Sequence, residues 1–168
     1  MNPSPTDALY STLRVAGLDF FLSVPCKLLA GLIDKLQADS EIIYSPVTRE
    51  EEGVGIACGA HLAGRRPAIV MQNSGFGNCS NAILSLLNYY RVPVVFVVSH
   101  RGSDGEPIEA QRMMGNAIKG LLNVIDVDQV SVTEPSMLHV VKPAIEAARA
   151  ANRSLAVLLP FSFWAGEK

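Results

Sequence analysis

The chain is poor in cysteine and in charge, and it contains no long apolar run. Cys26, Cys58 and Cys79 are odd in number, far apart and without a Cys-x-x-Cys pair, which argues against a disulfide framework or a zinc knuckle and makes reduced thiols the expectation. His61, His100 and His139 stand at no ligand spacing from one another or from the cysteines, so no metal ligand is expected from this chain. The longest clean apolar run, Val92 to Val98, is far short of a membrane span, and the start Met1-Asn2-Pro3-Ser4-Pro5-Thr6-Asp7 has neither the basic beginning nor the apolar stretch of a secretory signal. A cytoplasmic protein is expected. A net charge of -2 with scattered basic residues gives no long-range pull toward nucleic acid or anionic lipid. Charged residues make up 18% of the chain, against roughly 25% in an average soluble domain, and a surface lean in charge points to cover by a partner.

What is present is a regular alternation. Pro5, then Leu9, Leu13 and Ala16 at helical spacing, then Gly17, predict a short amphipathic helix with its stop signal. A strand Asp19 to Val24 ends at Pro25, and Leu28, Leu29, Leu32, Ile33 and Leu36 form a helical stripe up to Asp39. Then come a strand Glu41 to Val47, a helix Glu50 to Ala63, a strand Ala68 to Gln72, a glycine turn, a helix from about Asn78 to Tyr90 and a strand Val92 to Ser99. A polar loop, a helix near Gln111 to Leu122, a short segment near Val124 to Val130, a helix Ser136 to Ala151 and a strand Ser154 to Pro160 complete the series, with Pro143 kinking the last helix or marking its true start. Strands that are nearly all apolar, with helices between them, predict one α/β domain over residues 1–168. Its sheet is expected to be doubly wound and mainly parallel, covered by helices on both faces. Ligands in such a sheet bind beyond the carboxyl ends of the strands.

The polar residues at those ends are the candidates. Glu50, Glu51 and Glu52 open a helix, where the dipole stabilises carboxylates; for Glu51 and Glu52 that is reason enough, while one of the three is expected to point back across the strand ends. Burial there would raise its pKa and make it a proton carrier. Gly75-Phe76-Gly77 lacks the third glycine of a dinucleotide fingerprint and the Gly-Lys-Ser/Thr of a P-loop, so it has no means of its own to hold a phosphate. Its flanks Gln72, Asn73, Ser74 and Asn78 suit hydrogen bonds to a neutral ring edge. Lys27 and Arg101 are cations at strand ends, where a guanidinium can clamp a doubly charged head; Glu106 and Gln111 follow in a charged, glycine-rich loop that reads equally well as a solvated connection. Cys26 has no base placed to activate it.

Taken together, Arg49-Glu50-Glu51-Glu52-Gly53-Val54-Gly55-Ile56-Ala57-Cys58-Gly59, Arg66-Pro67-Ala68 and Met71-Gln72-Asn73-Ser74-Gly75-Phe76-Gly77-Asn78 resemble the pyrimidine-binding domain of the thiamine-diphosphate decarboxylases. With Val24-Pro25-Cys26 and Gly105-Glu106-Pro107, the resemblance is nearest to the alpha subunits of sulfopyruvate decarboxylases, the phosphonopyruvate decarboxylases sharing the Gln-Asn-Ser-Gly turn. The match runs over essentially the whole chain. It implies a thiamine-diphosphate-dependent carboxy-lyase forming sulfoacetaldehyde and carbon dioxide from 3-sulfopyruvate, a step of coenzyme M biosynthesis. It assigns the family's essential glutamate to Glu50, hydrogen-bonded to the aminopyrimidine ring nitrogen, with Gln72, Asn73, Ser74, Gly75 and Phe76 along the cofactor. By position, Lys27, His100, Arg101 and Gln111 fall where relatives place substrate-facing groups. The family's Gly-Asp-Gly and later Asn, which hold Mg2+ and the diphosphate, have no counterpart here, since Ser103-Asp104-Gly105 lacks the context. A beta subunit is therefore expected to supply them in a hetero-oligomer. A phosphonopyruvate decarboxylase subunit and a non-catalytic flavodoxin-like binding module are the alternatives.

Overall fold

The computed structural model describes residues 3–165. Helix α1 (Pro5–Val15) starts where Ser4 Oγ accepts the Asp7 N–H at 3.1 Å, with Pro5 in the first turn, where a missing N–H leaves no bond unmade. Strand β1 (Phe20–Ser23) leads through a 3-10 turn (Lys27–Leu29) into α2 (Ala30–Ala38), then β2 (Ile43–Pro46) and α3 (Glu50–Leu62). After β3 (Pro67–Gln72) the chain runs through α4 (Asn73–Asn78), α5 (Ser80–Ala82) and a π-helical stretch (Ile83–Asn88) to β4 (Val95–His100). A 3-10 turn (Glu109–Gln111) opens α6 (Arg112–Val124), followed by β5 (Asp128–Ser131), a 3-10 segment (Pro135–Val140), α7 (Val141–Ala150), β6 (Leu155–Pro160) and a 3-10 turn (Phe161–Trp164).

All six strands are parallel, in the order β2-β1-β3-β4-β6-β5. The inner strands β4 and β6 are buried at every position, as strands covered on both faces must be, whereas the edge strands β2 and β5 are not. One face packs Leu9, Leu13, Leu32, Leu36 and Ile145 from α1, α2 and α7. The other packs Val54, Ala57, Phe76, Ile118 and Leu122 from α3, α4 and α6. Among the described residues no helix is long and apolar enough to cross a membrane.

One expectation is corrected, and one pair of alternatives is decided. The segment read as a glycine turn is helical from Asn73, so Gly75 and Gly77 lie within a helix and not before one. Their lack of a side chain serves close packing: a Cβ on residue 77 would stand 3.1 Å from Met114 Cε, and one on residue 75 would overlap Glu50. The last helix begins at Val141 after a 3-10 segment, which puts Pro143 in its first turn, and Pro143 thus marks the start of the helix.

The loop after β4 is pressed against the start of α6. Gly102 has φ +78°, and a Cβ there would stand 2.1 Å from the Gln111 carbonyl oxygen. Gly64 has a similar φ, +83°, with open space around it. Gly64→Ala should cost about 1 kcal/mol, the strain of the left-handed backbone alone, and Gly102→Ala about 3 kcal/mol or more, because backbone must also move. Denaturant unfolding of the two variants measures the difference, and equal costs would show that the contact at Gly102 is loose.

Candidate active site

The chain leaves β1 to form β2 on one side of it and returns to lay β3 on the other, so the connections diverge between neighbouring strands. That switch point is where an open parallel sheet leaves a crevice. Cys26, just beyond β1, and Gln72, at the end of β3, meet across it: the Cys26 thiol lies 3.9 Å from Gln72 Oε1 and 3.2 Å from Ser99 Oγ of β4.

Glu50 enters the crevice from α3. It is the first residue of the helix, placed by the exit from β2, and its carboxylate lies directly over Gly75. A Cβ on residue 75 would stand 2.1 Å from Oε1 and 2.4 Å from Cδ, so no residue other than glycine admits this seat. The Cys79 thiol donates to the Gly75 carbonyl at 3.4 Å; burial first, and then the nearby carboxylates of Glu50 and Glu51, push its pKa up to about 12, which keeps it a proton donor. Glu51 pairs with Arg49, and Glu52 accepts the Thr48 N–H at 3.0 Å. Those two acids therefore serve the helix start, and Glu50 alone of the three turns to the crevice. Within this chain it is half-buried.

The residues after β3 divide sharply. Gln72 donates through Nε2 to Ser74 Oγ at 2.7 Å and to Gln111 Oε1 at 3.1 Å, which brings three expected site residues together at the mouth. Asn73 is fully buried; its Nδ2 donates to the Arg101 carbonyl at 2.8 Å and its Oδ1 has no partner among the described residues. Phe76 is also fully buried, edge-on to Phe96 with centroids 5.1 Å apart. Its ring belongs to the core, which leaves its backbone as the part near the crevice.

Of the residues expected to face substrate, two are engaged inward. His100 Nε2 donates to the Gly115 carbonyl at 2.9 Å in a buried position. Arg101 forks onto the fully buried Glu106, Nε to Oε2 at 2.5 Å and Nη2 to Oε1 at 2.7 Å, and Glu106 also accepts the N–H groups of Gly102 and Ile108. Paired this way, the guanidinium is not free to clamp a ligand. Lys27 is exposed and has no ion pair among the described residues; it borders both a hollow beside Cys26 and a cavity of about 870 Å3 with Leu28, Phe161 and Trp164. The ion pair and Ser99 escaped the sequence reading. A serine in an otherwise apolar strand, and an arginine and a glutamate bracketing two glycines, were the available signals.

The family described as "Thiamine pyrophosphate enzyme, N-terminal TPP binding domain" matches residues 4–128. The chain is similar to the sulfopyruvate decarboxylase subunit alpha of Methanothermobacter thermautotrophicus, 39% identical over 98% of this chain and 100% of that one. It is also similar to the phosphonopyruvate decarboxylase of Streptomyces viridochromogenes, 33% identical over 92% of this chain but only 38% of the relative's length. Among solved structures, benzoylformate decarboxylase from Polynucleobacter necessarius superposes with a TM-score of 0.75 at 15% identity, over 97% of this chain and 31% of that one, a likeness of fold.

The buried ion pair gives the site a pH dependence. Hydrogen bonding to Arg101, ahead of the opposing effect of burial, lowers the Glu106 pKa from 4.5 to about 2. A depressed carboxylate pKa means stability that is complete above pH 4.5 and lost as pH falls through about 2. Glu106→Gln should cost about 3 kcal/mol at pH 7, by leaving a buried guanidinium without its counter-charge. Unfolding measured at neutral pH and below pH 4 checks both parts: the gap between wild type and variant should narrow on acidification, and a constant gap would show that the charge on Glu106 is irrelevant.

Proposed function

Since this chain belongs to the family of thiamine pyrophosphate enzymes, by their N-terminal TPP-binding domain, we propose that it is the alpha subunit of a decarboxylase converting 3-sulfopyruvate to sulfoacetaldehyde and carbon dioxide. Residues 1–168 form its single pyrimidine-binding domain, and a beta subunit carries the groups that hold Mg2+ and the diphosphate. The observation that carries this reading is the seat of Glu50 on Gly75, a carboxyl group set at the switch point with a bare glycine making room beside it. Full-length similarity to a separate alpha subunit supports the division of labour.

The surface supports a partner as well. Helix α3 exposes Gly55, Ile56, Gly59 and Leu62, and a Cβ on Gly55 or Gly59 would meet nothing within 4 Å. A helix that is apolar on its outer face as well as its inner one calls for cover. It is the helix that begins with Glu50, so a subunit laid over it would also close the crevice and shelter the carboxyl group from water.

The residues fit the cofactor. With the cofactor bound, the Glu50 carboxyl group would hydrogen-bond the aminopyrimidine ring nitrogen, a contact that requires shelter from water. Gly75 keeps the space for that carboxyl group, Ser74, held by Gln72, offers a neutral hydroxyl along the ring edge, and Asn73, with its unpartnered Oδ1, braces the segment from beneath. Lys27 and Gln111 face the anionic substrate from two sides of the mouth. Thiamine diphosphate, when bound, would supply the electron sink that takes up the electron pair of the breaking C–C bond as carbon dioxide leaves the 2-oxo acid.

The relative from Streptomyces favours a second substrate, phosphonopyruvate, which presents a tetrahedral anion of similar size. Turnover of both 2-oxo acids by the reconstituted alpha–beta pair separates the two, sulfopyruvate being expected to have the higher kcat/KM. In that pair Glu50→Gln should lower kcat by about a hundredfold or more, and Gly75→Ala should do the same by displacing the carboxylate while circular dichroism reports an intact fold. Undiminished turnover in Glu50→Gln would overturn the catalytic role of this chain and favour a binding module.

A further inference from the structure

The hydrogen bonds around Gln72 run in one direction. Both protons of its Nε2 are committed, one to Ser74 Oγ and one to Gln111 Oε1. Its Oε1 faces the Cys26 thiol, which donates to it at 3.9 Å.

The direction passes on to Gln111. Its Oε1 is occupied by Gln72, and its Nε2 has no acceptor among the described residues. Gln111 is half-buried at the mouth, at the end of the 3-10 turn that the close contact with Gly102 holds in place. A carboxamide left to itself can offer either its oxygen or its nitrogen. With its oxygen taken by Gln72, this one offers its N–H groups, and two neutral donors suit an oxyanion while rejecting a cation or a carbonyl-seeking donor.

Resting on the decarboxylase reading above, we propose that Gln72 is a positioning residue: held by the Cys26 thiol, it turns the Gln111 amide so that Nε2 faces the sulfonate or carboxylate oxygens of the 2-oxo acid. Specificity for a substrate with two anionic ends then depends on a relay from Cys26 through Gln72 to Gln111.

The test uses the assembled alpha–beta pair, kinetics with sulfopyruvate, and calorimetry with 3-sulfopropanoate, which keeps both anionic ends and has no keto group. Gln111→Leu should raise KM and the dissociation constant by about tenfold, with kcat within about threefold. Gln72→Met should raise both by several-fold, and the double variant should be no worse than Gln111→Leu alone, because Gln72 acts only through Gln111. Cys26→Val should reproduce the Gln72→Met loss and Cys26→Ser should recover most of it; this pair also carries the test if Gln72→Met fails to assemble. Additive losses in the double variant, a fall in kcat with KM unchanged in Gln72→Met, or unaltered constants in Gln111→Leu would each overturn the relay. If the wild-type pair binds 3-sulfopropanoate without decarboxylating sulfopyruvate, the decarboxylase reading fails while the binding constants still judge the relay. If it does neither, both fail.

Discussion

The contact between the Glu50 carboxylate and the bare backbone of Gly75 governs the arrangement of the crevice. Glycine inside a helix costs about 1 kcal/mol relative to alanine, and α4 carries two within six residues. Each makes room for a side chain from another helix, Gly75 for Glu50 of α3 and Gly77 for Met114 of α6. The helix is weak by propensity and firm by packing, with the Cys79 thiol fastening the Gly75 carbonyl and Phe76 anchored edge-on to Phe96. A methyl group at residue 75 would send the carboxylate outward and leave the rest of the domain standing.

A second constraint holds the strand ends together. Arg101 and Glu106 bury a pair of opposite charges in the loop after β4, where hydrogen bonds from two backbone N–H groups complete the carboxylate's shell. The backbone carbonyl of Arg101 accepts from Asn73, which ties the β3 exit to that of β4, and the Cys26 thiol beyond β1 meets Gln72 and Ser99 at the same ends. Gly102 and Gly115 permit the tight approach to α6 that puts Gln111 beside Gln72. The ion pair thus acts as a bracket behind the mouth, which is a different part from the anion clamp expected of Arg101.

The alternation of strand and helix was legible because it is written in local periodicity: apolar runs such as Val95 to Val98 read as covered strands and become them. Glu50 and the Gln72 to Gly75 stretch stood out for the same local reason, polar groups in the midst of apolar ones. The glycines of α4 misled because their role depends on Glu50, more than twenty residues away in the chain and in contact only after folding. Arg101 read as a strand-end cation open to an anion and Glu106 as part of a solvated loop, since nothing in a loop's composition reveals that two charges will be desolvated together. Side-chain direction was equally hidden: Asn73 and Phe76 adjoin Gln72 and Ser74, yet turn into the core through the helical twist that a turn would not have had.

The central claim is that Glu50, sheltered between this chain and a second subunit, shares a proton with the cofactor's pyrimidine ring. The most direct measurement is the distance between its carboxyl group and the ring nitrogen in a crystal of the assembled pair with thiamine diphosphate bound. A separation of about 2.7–3.0 Å, with α3 covered by the partner, is the predicted result. A carboxylate left in solvent, with the pyrimidine held elsewhere, would contradict the account.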